Sequence, residues 1–133
     1  MILSHRLYTA TLIGLSGAVT MLAMGMGRGE PMMVFIAGAG ALVAGLPAAG
    51  LFGHAGRDGM FSAMAGAVLA TALGAGLAGF ALALATGFLG AVLLGPVAVG
   101  SAIVTQPVVA LAWGGTMAGV HLLTRIAREE AAF

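Results

Sequence analysis

Charge gathers in a few short clusters along this chain, and long apolar runs separate them. Arg6 lies near the start, Arg28 and Glu30 bracket Gly29, Arg57 adjoins Asp58, and Arg125, Arg128, Glu129 and Glu130 lie together near the end. Residues 7–26, 31–56 and 60–124 carry no charge. A helix needs about 20 apolar residues to cross a hydrocarbon core of ~30 Å. The runs therefore predict spans over residues 7–26, 31–52, 60–85 and 103–124. The first run is longer than the ~7–15 residue apolar region of a secretory signal peptide, and Ala23-Met24-Gly25 matches a cleavage site poorly. A retained first helix is expected. Gly27-Arg28-Gly29-Glu30-Pro31 reads as a turn, with Pro31 suited to the first position of the next helix. Pro47 should kink the second span or end its regular part.

The run over residues 60–124 is longer than two spans need. One straight helix over residues 60–94 would measure about 52 Å at 1.5 Å per residue. Gly87, Gly90, Gly95, Pro96 and Gly100 mark breaks, and Gln106-Pro107 marks the start of a last helix. The expected fold class is an all-α integral membrane protein with four transmembrane helices. A broken or re-entrant apolar segment over residues 86–102 would join helices three and four. The alternative is five spans, with residues 86–104 crossing as an extra helix. Four spans put Arg6, Arg57, Arg125 and Arg128 on one side against Arg28, whereas five split them two against three. Short-loop arginines favour the cytoplasm, so we expect one membrane domain over residues 1–133, with four spans and both ends cytoplasmic.

The third span carries two rows of small residues at four-residue spacing. One is Ser62, Gly66, Ala70, Gly74 and Ala78; the other runs Ala63, Ala67, Thr71, Ala75, Gly79, Ala83, Gly87, Ala91 and Gly95. Residues four apart share a helix face, and such ridges let helix backbones approach closely in lipid. Gly115-x-x-x-Gly119 is a shorter ridge of the same kind. Gly66, Ala70, Gly74, Ala78, Gly79, Gly87, Gly115 and Gly119 are the expected helix-packing positions, with protein rather than lipid opposite the second ridge.

Composition narrows the function classes. Hydrophobic residues make up 61% of the chain and charged ones 7%, against about 25% charged in a soluble domain. Glycine, at 23 of 133 residues, has no three-residue period, so collagen is excluded. Cysteine is absent, which removes disulfides, thiolate metal sites and cysteine nucleophiles. The net charge of +1 offers no basic surface for nucleic acid. All basic residues are arginine, which together with the alanine and glycine content suggests a GC-rich bacterial genome and hence a bacterial inner membrane.

Candidate chemistry is sparse. Glu30, Asp58, Glu129 and Glu130 fall in expected loops or the tail, so no ionisable carboxylate occupies a span interior, where proton-coupled carriers place one. His5, His54 and His121 should gather at the cytoplasmic end. His121 and His54 are the candidate ligands for a haem or pigment; the simpler reading makes His5 and His54 solvated loop residues and pairs His121 with Arg125, four residues on. No catalytic residue and no metal site are assigned. Met21, Met24, Met26, Met32 and Met33 surround the first turn, where thioethers could offer soft copper ligands but serve by default as adaptable packing. Hydroxyls within spans should bond to their own helix or to a neighbour. Trp113, in mid-span, should face lipid or a partner, and Tyr8 should anchor at the interface.

The function expected from these features is a non-catalytic accessory subunit of a larger membrane complex, not an enzyme. Its partners would be other integral membrane subunits and lipids, with no nucleic acid and no soluble substrate. It would have no cofactor of its own beyond contact with lipid, haem or pigment. The alternatives are a self-assembling small channel or holin-like pore, and a subunit holding a haem or pigment through a histidine.

Overall fold

The structure, a computed structural model, describes residues 2–25 and 31–132. These form α1 (Ile2–Ala23), α2 (Pro31–Ala48), a single 3₁₀ turn (Ala49–Leu51), α3 (Gly56–Thr86), α4 (Ala91–Thr105) and α5 (Pro107–Ala131). The turn expected at residues 27–30 lies outside the described residues. Four helices, α1, α2 with its 3₁₀ extension, α3 and α5, are long and apolar enough to cross a membrane. The chain is thus an all-α, multi-pass membrane protein.

Its packing inverts that of a soluble protein. The buried positions are chiefly alanine and glycine, joined by Ile13, Phe52, Val109, Met117 and Val120 and by the hydroxyl residues Thr9, Ser16, Thr20 and Thr124. Leucine, valine, phenylalanine and methionine crowd the outside instead. Water drives large apolar groups inward. Hydrocarbon does not, so close packing of small residues holds the helices together.

Two pairs of hydroxyls fix how the helices run. Ser16 Oγ lies 2.6 Å from Thr116 Oγ1, and Thr9 Oγ1 lies 3.2 Å from Thr124 Oγ1. Moving up α1 therefore moves down α5, and the two are antiparallel. Five alternating spans would make α1 and α5 parallel, so that alternative is overturned. α1 also packs on α2, α2 on α3 and α3 on α4. The start of α1, the α2–α3 connection and the end of α5 meet at one end of the bundle. Arg6, Arg57, Arg125 and Arg128 share that end, and we call it the arginine end.

The expected break over residues 86–102 resolves into a turn and a short helix. Gly87 ends α3 in the left-handed conformation (φ +74°), its N–H bonded to the Ala83 carbonyl. α4 then holds 15 residues, about 22 Å at 1.5 Å per residue, short of a ~30 Å core. It leaves α3 at the end opposite the arginines. Pro107 is nine positions before Thr116, and Ala23 is seven positions after Ser16, so α5 starts level with the last turn of α1. α4 therefore begins and ends in the same half of the bundle. It is a re-entrant helix rather than a fifth crossing. Gln106, in extended conformation, is the one-residue joint to α5, and Pro107 takes the first helical position, where a missing N–H does no harm.

Pro47 behaves as its chemistry demands. Regular α2 stops at Ala48, and the chain tightens into the 3₁₀ turn. This delivers Phe52 into the bundle, where it is fully buried in the main apolar cluster with Ile13, Ala67 and Met117.

Candidate functional site

The ridges on α3 are where backbones approach. A Cβ added at Gly66 would stand 2.8 Å from Phe52 Cε2, and one at Gly74 would stand 2.9 Å from Ala41 Cα in α2. A Cβ at Gly79 would run into the Ala91 carbonyl of α4. Ala70 is fully buried in the main cluster, and Ala78 is half-buried along the same face. The second ridge is buried from Ala63 to Ala83 except at Thr71 and Ala75, which are half-buried. It then passes onto α4, where Ala91 is buried and Gly95 faces the Ala75 carbonyl.

Three of the expected packing glycines have no packing neighbour among the described residues. Gly87 serves as the C-cap of α3, and nothing lies within 4 Å of a Cβ built there. Gly115 and Gly119 likewise open onto empty space. They lie on the outer face of α5 with Leu111 and Leu122, which are 76% and 57% exposed. The opposite face of α5 carries Trp113, Met117, Val120 and Thr124, at helical spacing, into the bundle. Trp113 thus turns inward, against the sequence expectation. Its indole N–H donates to Thr71 Oγ1 at 2.8 Å, and its ring packs on the main cluster. A long-range partner on α3 decides this, and nothing in the local sequence of α5 names it.

The hydroxyls follow one rule. Thr9, Thr20, Thr71 and Thr116 each donate to the carbonyl four residues back, at 2.7–3.0 Å. Their oxygens remain free to accept, so Thr124 donates to Thr9, Ser16 to Thr116 and Trp113 to Thr71. Each contact across helices is worth ~0.6 kcal/mol on average in membrane proteins.

His54 and His121 both stand at the arginine end. His121 Nδ1 accepts the N–H of Gly53 at 3.2 Å, which places its proton on Nε2. Gly53 needs that partner, since it is buried and left-handed (φ +79°) beneath Thr124. His54 Nε2 lies 2.8 Å from the Gly50 carbonyl, which can only accept, so Nε2 carries the proton. His54 Nδ1 then faces Arg128 Nη1 at 3.5 Å. Both rings thus hold the α2–α3 connection. Arg125 does not pair with His121 as expected. Its Nε donates to Glu129 at 2.8 Å, a stronger partner one turn further on. Among the described residues, no three His, Asp or Glu side chains converge where a metal ion could sit.

Between α3 and α5 the bundle opens into a cavity of about 670 Å³. α1, α2 and α4 complete its walls. Ile13, Ala70 and Met117 line it and also belong to the main apolar cluster, which closes it midway through the bundle. Met24, Met33 and Phe88 line the end away from the arginines. Among the described residues, no charged one contributes. Met21, Met24 and Met33, grouped by sequence at the first turn, are thus wall residues of one space. Sequence periodicity could show that α3 is smooth on one side but not that α4 and α5 leave room beside it. The chain matches no protein-family model, no curated protein and no solved structure.

Proposed function

We propose that this chain is a non-catalytic accessory subunit of a larger bacterial inner-membrane complex, with both termini cytoplasmic. It would dock a helix of another integral membrane chain along the outer face of α5. The observation that carries this reading is a contrast among its own glycines. Wherever Gly66, Gly74 and Gly79 interrupt a helix surface, another segment of the chain lies against them. Gly115 and Gly119 form an equally smooth face, flanked by Leu111 and Leu122, with none of the described residues upon it. A helix glycine costs about 1 kcal/mol relative to alanine, and close approach by a neighbour is what offsets that. The four arginines at one end support a cytoplasmic placement of that end.

Photo-crosslinking from position 118, between the two glycines, tests this reading in intact cells. An adduct with a different membrane protein is expected at position 118 and not at the lipid-facing position Leu93. An adduct with the chain itself would favour the self-assembling alternative, and lipid adducts alone would reject both.

A further inference from the structure

We propose that the cavity between α3 and α5 holds one acyl chain of a membrane phospholipid, entering from the leaflet opposite the arginine end. Three observations converge on a hydrocarbon occupant.

The first is depth. On α3 the lining runs from Ala70 to Leu82, and along α1 and the turn that follows it from Ile13 to Met24. At 1.5 Å per residue these stretches measure roughly 16–18 Å, about half of a ~30 Å hydrocarbon core. The cavity is one leaflet deep, and its floor of Ile13, Ala70 and Met117 lies where that leaflet ends.

The second is the state of its polar groups. Its side-chain donors are Thr20, Thr71 and Trp113. Thr20 donates to the Ser16 carbonyl, Thr71 to the Ala67 carbonyl and Trp113 to Thr71. Among the described lining residues, no side-chain donor is left for a ligand. A quinone ring, a haem propionate or a sugar would bury acceptors without partners, which is unfavourable. Water requires two to four polar partners per molecule, and this lining does not provide them. A polymethylene chain asks for none.

The third is the wall itself. Its volume of about 670 Å³ falls within the range of ~300–1,000 Å³ typical of ligand pockets. The lining near its open end includes Met21, Met24 and Met33, whose unbranched thioethers adapt to an irregular guest. The occupied face of α5 is the Trp113 face, opposite Gly115 and Gly119, so this inference does not depend on the partner docking proposed above.

Trp113 is the only tryptophan, so its fluorescence reports from this wall alone. The full chain, purified in detergent, is titrated with a phosphatidylcholine brominated midway along one acyl chain. We expect quenching that saturates near one lipid per chain. Ala98→Phe, which fills the cavity from α4, should weaken that saturable component at least tenfold while leaving the helical circular dichroism unchanged. Organic extraction of the wild-type protein, read by mass spectrometry, gives a second readout that needs no variant: about one retained phospholipid per chain is expected. Quenching that rises linearly with lipid and is equal in Ala98→Phe would overturn the proposal. So would retention of an isoprenoid quinone or a peptide in place of phospholipid, or of no lipid at all.

Discussion

Gly74 and Gly115 are the same residue in opposite surroundings, and that difference separates folding from assembly. Leucine at position 74 would drive its side chain into the α2 backbone at Ala41. Overpacking of this kind costs ~1–3 kcal/mol, and backbone cannot step aside as a side chain can. Gly74→Leu should therefore lower the thermal unfolding midpoint in detergent. A Cβ at Gly115 meets no described atom within 4 Å, and leucine favours a helix over glycine, so Gly115→Leu should leave the midpoint no lower than that of wild type. Circular dichroism melts of the two variants side by side check this contrast. The ridge on α3 could be read from four-residue spacing alone. Which ridge has a neighbour could not, because spacing is a property of one helix and occupancy a property of two. The pairing of His121 shows the same gap. Arg125 was within reach by sequence, but Glu129 offered Arg125 a carboxylate and the Gly53 N–H needed an acceptor.

At the level of elements, α3 and α4 form a hairpin that turns on one residue. Gly87 takes φ +74° with its N–H on the Ala83 carbonyl. A side chain in this left-handed conformation costs about 1–2 kcal/mol. Gly87→Ala should lower stability by that amount, as read from the same melts, although no described residue lies beside position 87 to be crowded. The length of α3 and the stop after it were legible from glycine and proline placement. The continuity of α4 was not. Gly95 and Pro96 read as breakers, yet both lie inside the helix. Gly95 stays because the α3 backbone at Ala75 leaves no room for a side chain there. Pro96 is tolerated because neighbouring helices can make good the backbone groups it frees in an apolar setting.

At the scale of the whole molecule, four crossings and a re-entrant α4 gather four arginines at one end. The chain has no cysteine, so single introduced cysteines give a clean topology readout. Cysteine at Ala55 should resist an impermeant maleimide in intact spheroplasts, and cysteine at Leu89 should react with it. Labelling of the two on the same side would break the assignment of α3 as a full crossing. Apolar run lengths and arginine bias carried the count of spans; the two hydroxyl pairs between α1 and α5 supplied the direction that the sequence left as a choice between four and five. The partner-facing role proposed for α5 has its most direct test in blue-native electrophoresis of gently solubilised membranes. The chain should migrate with a complex well above its own 13.0 kDa, and Gly115→Leu combined with Gly119→Leu should release it while the purified variant melts no lower than wild type. Migration of wild type as a monomer, or an unchanged complex in the double variant, would contradict the account.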